Sequence, residues 1–159
     1  MRLQQSQLKP GFRPPSDPVQ RAWIALGRAS QAVQCEVETK LKKAGFPELS
    51  WYTVLWELER AGKPTRPKDL AVPLFILPYQ LSRLVDRMEA EGLVKRILCK
   101  EDKRGHLLEP TAKGYALRKE MWSVYAPAMS EAMKRLSDAE HAQLTALLNK
   151  LGGIDAAKG

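Results

Sequence analysis

Arg83 and Arg87 stand four residues apart in the run "PYQLSRLVDRMEAEG", with Tyr79, Gln80 and Ser82 just before them. On a helix these five turn away from an apolar stripe of Leu81, Leu84, Val85 and Met88. Guanidinium, carboxamide and hydroxyl groups gathered this way suit recognition rather than bond breaking. They form paired hydrogen bonds to anions and to the edges of flat polar rings. A second cluster is "KEDKRGH" at 100–106, where charges of both signs crowd between two apolar runs, "LVKRILC" and "LLEP". Lys100, Lys103 and Arg104 suit phosphate. Asp102 can pair with an arginine and hold the loop in shape, and Gly105 permits a tight turn.

Reaction chemistry has no comparable support. No nucleophile lies beside a base, and no Gly-rich phosphate loop is present. Cys35 and Cys99 are far apart with no CxxC pattern, and His106 and His141 are not spaced to complete a zinc site. No catalytic residue, metal or cofactor is expected, and the chain is not read as an enzyme. It carries 26 Lys plus Arg against 18 Asp plus Glu, a net +8, which favours an anionic partner and nucleic acid first. No apolar run is long enough to span a bilayer, and the first residues lack the apolar core of a signal peptide. The expectation is a cytoplasmic protein with no membrane partner.

The elements that must position these clusters follow from periodicity and punctuation. Residues 1–16 read as a flexible basic arm with Arg2, Lys9 and Arg13. Ser16, Asp17 and Pro18 start a long helix, with apolar positions at Val19, Ala22, Trp23, Leu26, Ala29, Val33, Val37 and Leu41. Gly45 and Pro47 end it. A second helix fits "LSWYTVLWELERAG", with Ser50 as cap and Gly62 as stop. A short third helix fits "RPKDLAVPL", and the run with Arg83 forms a fourth, opened by Pro78 and closed by Gly92. "LVKRILC" and "HLLEP" form a hairpin around the charged turn. Thr111 caps a long helix that Pro127 should bend. "SDAE" at 137–140 is a capping box for the last one, which Gly152 and Gly153 stop.

This order, a helix pair followed by a two-stranded wing, is a winged helix-turn-helix. Its second helix enters the major groove, where Arg and Gln pair with guanine and adenine edges. The wing reaches the neighbouring minor groove, with Arg104 as its probe and Lys100 and Lys103 on phosphate. Arg66 and Lys68 open the short helix and suit phosphate contact, although an exposed helix start explains them equally. A solvated face on which Asp86 and Glu91 neutralise Arg83 and Arg87 is the alternative to DNA contact; the following hairpin favours contact for Arg83 and leaves Arg87 evenly balanced.

The run "RPKDLAVPLFILPYQLSRLVDRMEAEGLVKRILCKEDKRGHLLEPTAKG" resembles the MarR family of bacterial transcriptional regulators. The features that carry this are "DLA", "LSRLVDRMEAEGLVKR", the Asp102-x-Arg104 pair and "TAKG". "LSDAEHAQLTALLNKL" is similar to the family's last helix, so the resemblance covers about residues 18 to 151. It implies a mainly α fold with a β-hairpin wing. Residues 17–46 and 111–152 would form a helical dimerisation region and 47–110 the DNA-binding domain, with 153–159 as a tail. It implies a homodimer on a near-palindromic operator, usually a repressor released by a small ligand or an oxidant. Arg104 becomes the wing arginine and Asp102 its structural partner. Pro78, Tyr79, Gln80, Ser82 and Arg83 fall on the front of the recognition helix.

One departure matters. The family often has a glycine in the turn and then a Ser or Thr cap; here Phe75 and Leu77 stand there, followed by Pro78. Trp23, Trp51, Tyr52 and Trp56 at helical spacing read first as core. Family members often bind aromatic or phenolic effectors in a cleft, which Tyr52 or Trp56 could line. Two other readings stay open: a winged helix used only for protein contacts, and a thiol-based redox regulator using Cys35. Against the second, a buried or idle thiol is the ordinary reading of Cys35.

Overall fold

The computed structural model describes residues 13–74, 77–99 and 105–153. Among them the order is α1 (Asp17–Lys43), α2 (Leu49–Ala61), α3 (Pro67–Leu74), α4 (Pro78–Ala90), β1 (Val94–Leu98), β2 (His106–Pro110), α5 (Ala112–Met133) and α6 (Asp138–Gly152). This is the mainly helical winged helix-turn-helix expected from the sequence. The strands pair antiparallel, from Val94 opposite Pro110 to Leu98 opposite His106. No described helix is long and apolar enough to cross a membrane.

Local chemistry explains the element ends. Thr111 accepts the Gly114 N–H at 3.1 Å, capping α5. Ser137 and Glu140 form the reciprocal box that opens α6. Gly62 adopts φ +62 and ends α2, a conformation cheap only for glycine. Ser50, expected as the α2 cap, lies inside the helix, and Glu48 holds the cap position. The Leu49 N–H is met instead by Glu38 of α1 at 3.0 Å. A tertiary carboxylate therefore does the work that the sequence assigned to a local hydroxyl.

Two cores form. Val54, Leu55 and Leu58 of α2 close on Leu70, on the apolar stripe of α4, and on Leu93, Val94 and Leu108 around the wing. A second core joins Val37 and Leu41 of α1, Tyr52 of α2, and Met121, Ala128 and Ala132 of α5. So α2 faces both, and Leu117 of α5 packs on both. Only the C-terminal half of the α1 stripe is buried. Val19, Trp23, Ile24 and Leu26 are exposed, as are Leu147, Leu148 and Leu151 of α6, which buries no residue at all.

The aromatic-core expectation holds only in part. Tyr52 is buried and Trp51 half-buried, whereas Trp23 and Trp56 are exposed. Neither core reaches the N-terminal half of α1, and Trp56 lies on the solvent side of α2. Cys35, read as a buried or idle thiol, is exposed on α1, while Cys99 is buried.

Candidate nucleic-acid interface

The α4 helix is amphipathic in the way its spacing requires. Leu81, Leu84, Val85 and Met88 are buried, and Pro78, Tyr79, Gln80, Ser82, Arg83 and Arg87 are exposed. Proline at the first position loses nothing, because that N–H has no helical partner. Without a Ser or Thr cap, the start is held by Gln80, whose amide oxygen accepts the Leu77 N–H at 3.3 Å. Gln80 is thus tied through its oxygen to the start of its own helix.

The two arginines have different surroundings. Arg83 makes no ion pair with any described residue. Arg87 folds back onto α2, 3.6 Å from Glu48 and over the Trp51 ring at 5.9 Å. Asp86, expected to neutralise this face, is turned to Arg96 on β1.

Arg96 is the residue that the sequence reading missed. Its guanidinium bonds Asp86 and Glu89 of α4 together, tying the first wing strand to the recognition helix. Its pKa is raised, first by the Asp86 hydrogen bond and then by the charge of Glu89, against desolvation. The signal was present, since "LVDRMEAEGLVKR" sets two acids on a helix just before a strand arginine. Only the fold brings them together.

The wing is anchored on its other side as well. The Thr65 N–H donates to the Leu108 oxygen at 3.0 Å, and Leu108 donates back at 2.8 Å, so the residue pair before α3 is fixed to β2. Arg66 bonds the Cys99 sulfur at 3.6 Å at the base of the wing, and Lys68 is exposed on α3. Cys99 donates its N–H to Gly105 at 2.9 Å, which closes the hairpin stem. The expectations for Lys100, Asp102, Lys103 and Arg104 lie outside the described residues.

Behind this face, α4 is sewn to α5. The Thr111 hydroxyl donates to the Gly92 oxygen at 2.7 Å, the Thr111 N–H to Leu93 at 3.0 Å, and the Lys113 ammonium to the Glu91 oxygen at 2.7 Å. These bonds occupy carbonyls left free at a helix end. A side chain at Gly114 would overlap the Leu93 carbonyl oxygen, so the "TAKG" glycine is needed for close approach. Arg118 pairs with Glu59 and joins α5 to α2.

Between α2 and α5 lies a cavity of about 520 Å³ lined in part by Tyr52, Trp56, Arg118, Trp122, Tyr125 and Met129. Tyr52 stacks on Trp122, with centroids 5.9 Å apart and planes at 17°, and meets Tyr125 edge-on at 4.9 Å. Burial raises the pKa of Tyr125, and the neighbouring Tyr52 adds to the shift. Among the described residues no three His, Cys, Asp or Glu side chains gather in a metal-binding group.

Residues 45–105 match the model of the MarR family. Three solved structures share the fold over most of the chain. AbsC from Streptomyces coelicolor, a MarR family transcriptional regulator, has a TM-score of 0.78 at 23% identity, over 89% of this chain and 97% of that one. Sco3205 from the same organism, a regulator of that family in complex with DNA, has 0.78 at 24%, over 91% of each chain. A mutant MarR from E. coli complexed with operator DNA has 0.74 at 25%, over 85% of this chain and 94% of that one. Family model, helix order and wing agree: residues 45–105 of this chain match the MarR family model, and the chain shares the winged helix-turn-helix fold of the solved regulators of that family.

Proposed function

We propose that this protein is a homodimeric transcriptional regulator that binds a near-palindromic DNA operator and acts as a repressor released by a small aromatic or phenolic ligand. The observation that carries the reading is Arg83. It projects from the outer face of α4 with no ion partner among the described residues, while Arg87 and Arg96 beside it are tied to carboxylates. An arginine left unpaired on a helix braced from behind and from the side is arranged for an external anion or a guanine edge. DNA in the complexes of Sco3205 and of the E. coli protein supports the same use here.

The other parts of the reading rest on further features. Pro78, Tyr79, Ser82 and Arg83 meet the major groove, Arg104 takes the adjoining minor groove with Asp102 bracing it, and Lys100, Lys103, Arg66 and Lys68 serve phosphates. Homodimerisation is supported by the exposed apolar residues of α1 and α6, since a helix that buries nothing in its own chain gains by covering a partner. Two copies related by a twofold axis would set half-sites one helical turn apart, roughly 34 Å. The aromatic cavity at Tyr52 and Trp56 supports the effector.

The test is a mobility-shift titration on random duplex DNA over a salt series, followed by selection of retained sequences. Binding should weaken steeply as salt rises, because phosphate contacts release counterions. Arg104→Ala should lower operator affinity by roughly 1–3 kcal/mol. A protein that ignores duplex DNA at low salt would end this reading and leave the protein-contact alternative.

A further inference from the structure

We infer that Leu77 and Tyr79 form an apolar reader for the thymine methyl group at the leading end of the recognition helix. The inference rests on the DNA-binding reading and adds what that end of α4 recognises. Leu77, at the extended cap position, is 55% exposed, and Tyr79 is 60% exposed on a helix whose other exposed residues are mostly polar. Each leaves a large apolar surface in water just where the helix begins, and each gains if that surface meets a methyl group.

The polar group at this end is engaged by its own helix. An adenine is read by a carboxamide that accepts from N6 while donating to N7. The Gln80 oxygen accepts the Leu77 N–H at 3.3 Å, which draws the carboxamide back over the helix start and away from the flat approach that a paired adenine contact needs. An A·T pair can then be recognised from its other base, through the thymine C5-methyl, which is the apolar feature of the major groove. Tyr79 and Arg83 lie one turn apart on the same face, so their origins are separated by about 6 Å along the axis. Successive base pairs are spaced by about 3.4 Å. The thymine read by Tyr79 therefore lies one to two steps from the guanine read by Arg83, in both half-sites.

The experiment changes the DNA before it changes the protein. Duplexes retained by the full-length protein are selected from a random pool, and each thymine is replaced in turn by deoxyuridine, which removes only the methyl group. Wild-type protein should lose about fourfold in affinity at the reading position, the value of one buried methyl. Other positions should change little. Tyr79→Ala and Leu77→Ala should bind thymine and uracil duplexes with a smaller difference, and Tyr79→Phe should keep the wild-type difference, because the ring and not the hydroxyl makes the contact. Wild-type protein that binds a selected duplex tightly but is indifferent to every uracil replacement overturns the inference. So does a methyl effect that survives unchanged in both alanine variants. A protein that retains no duplex in the selection overturns this inference and the DNA-binding reading together.

Discussion

Replacing Arg96 by Gln removes the charge that joins the wing to α4 and keeps much of the side-chain volume. The Arg96 side chain is 29% exposed, Glu89 37% and Asp86 59%, so the two bonds are partly screened. Exposed ion pairs contribute about 0.2–1 kcal/mol, and hydrogen bonds to charged groups about 1.5–3 kcal/mol when sheltered. With Glu89 near the middle of this span and Asp86 near the bottom, the loss comes to roughly 1.5 kcal/mol. For a chain of this size that lowers Tm by about 3–6 °C. A wing released from α4 must be ordered again on binding, so operator affinity should fall by up to about tenfold, the equivalent of the same free energy. The salt dependence should change by less than one phosphate contact, since Arg96 is committed to carboxylates and not to DNA. The assays are thermal melting and mobility shift, with a double-mutant cycle against Glu89→Gln. Additive effects in that cycle, or a melting curve and affinity matching wild type, would refute the clamp.

Arg83→Ala should cost roughly 1–3 kcal/mol of operator binding in a mobility-shift titration, and Arg87→Ala well under half of that, because Glu48 and Trp51 already hold Arg87. Gly114→Ala should destabilise by at least about 2 kcal/mol in a urea melt, since the new methyl meets a backbone oxygen that cannot rotate away. The Glu140 carboxylate accepts the Ser137 N–H and hydroxyl, each at 2.8 Å, and its pKa falls below the ordinary 4.5. The folded state thus favours the charged form. Its stabilisation of the α6 start is complete above about pH 4.5 and is lost as pH drops through the lower folded value. Amide exchange at the α6 N-terminus should speed up in acid, and Glu140→Gln should abolish that pH dependence.

Much of this molecule was legible without coordinates because its signals are local. A hydrophobic stripe needs only periodicity, so α4 was readable from Leu81, Leu84, Val85 and Met88. The α5 and α6 caps at Thr111 and Ser137 need only neighbouring residues, and both were read correctly. The α2 start was misread for the complementary reason: its N–H partner, Glu38, lies eleven residues back on another helix. The polar face of α4 was read as a uniform set, yet the structure divides it. Gln80 serves its own helix, Arg87 serves α2, and Arg83 has no such tie among the described residues.

By itself the sequence determined the helices, the hairpin and the apolar stripes, because each depends on residues within a turn or two. Tertiary structure alone decided which charges are spent inside the molecule and which face outward. Arg96 is drawn to Asp86 and Glu89 by the fold of β1 back against α4, and Arg118 to Glu59 by the packing of elements distant along the chain. A charge is committed or available according to what lies within a few ångströms of it, and spacing along a chain does not encode that distance.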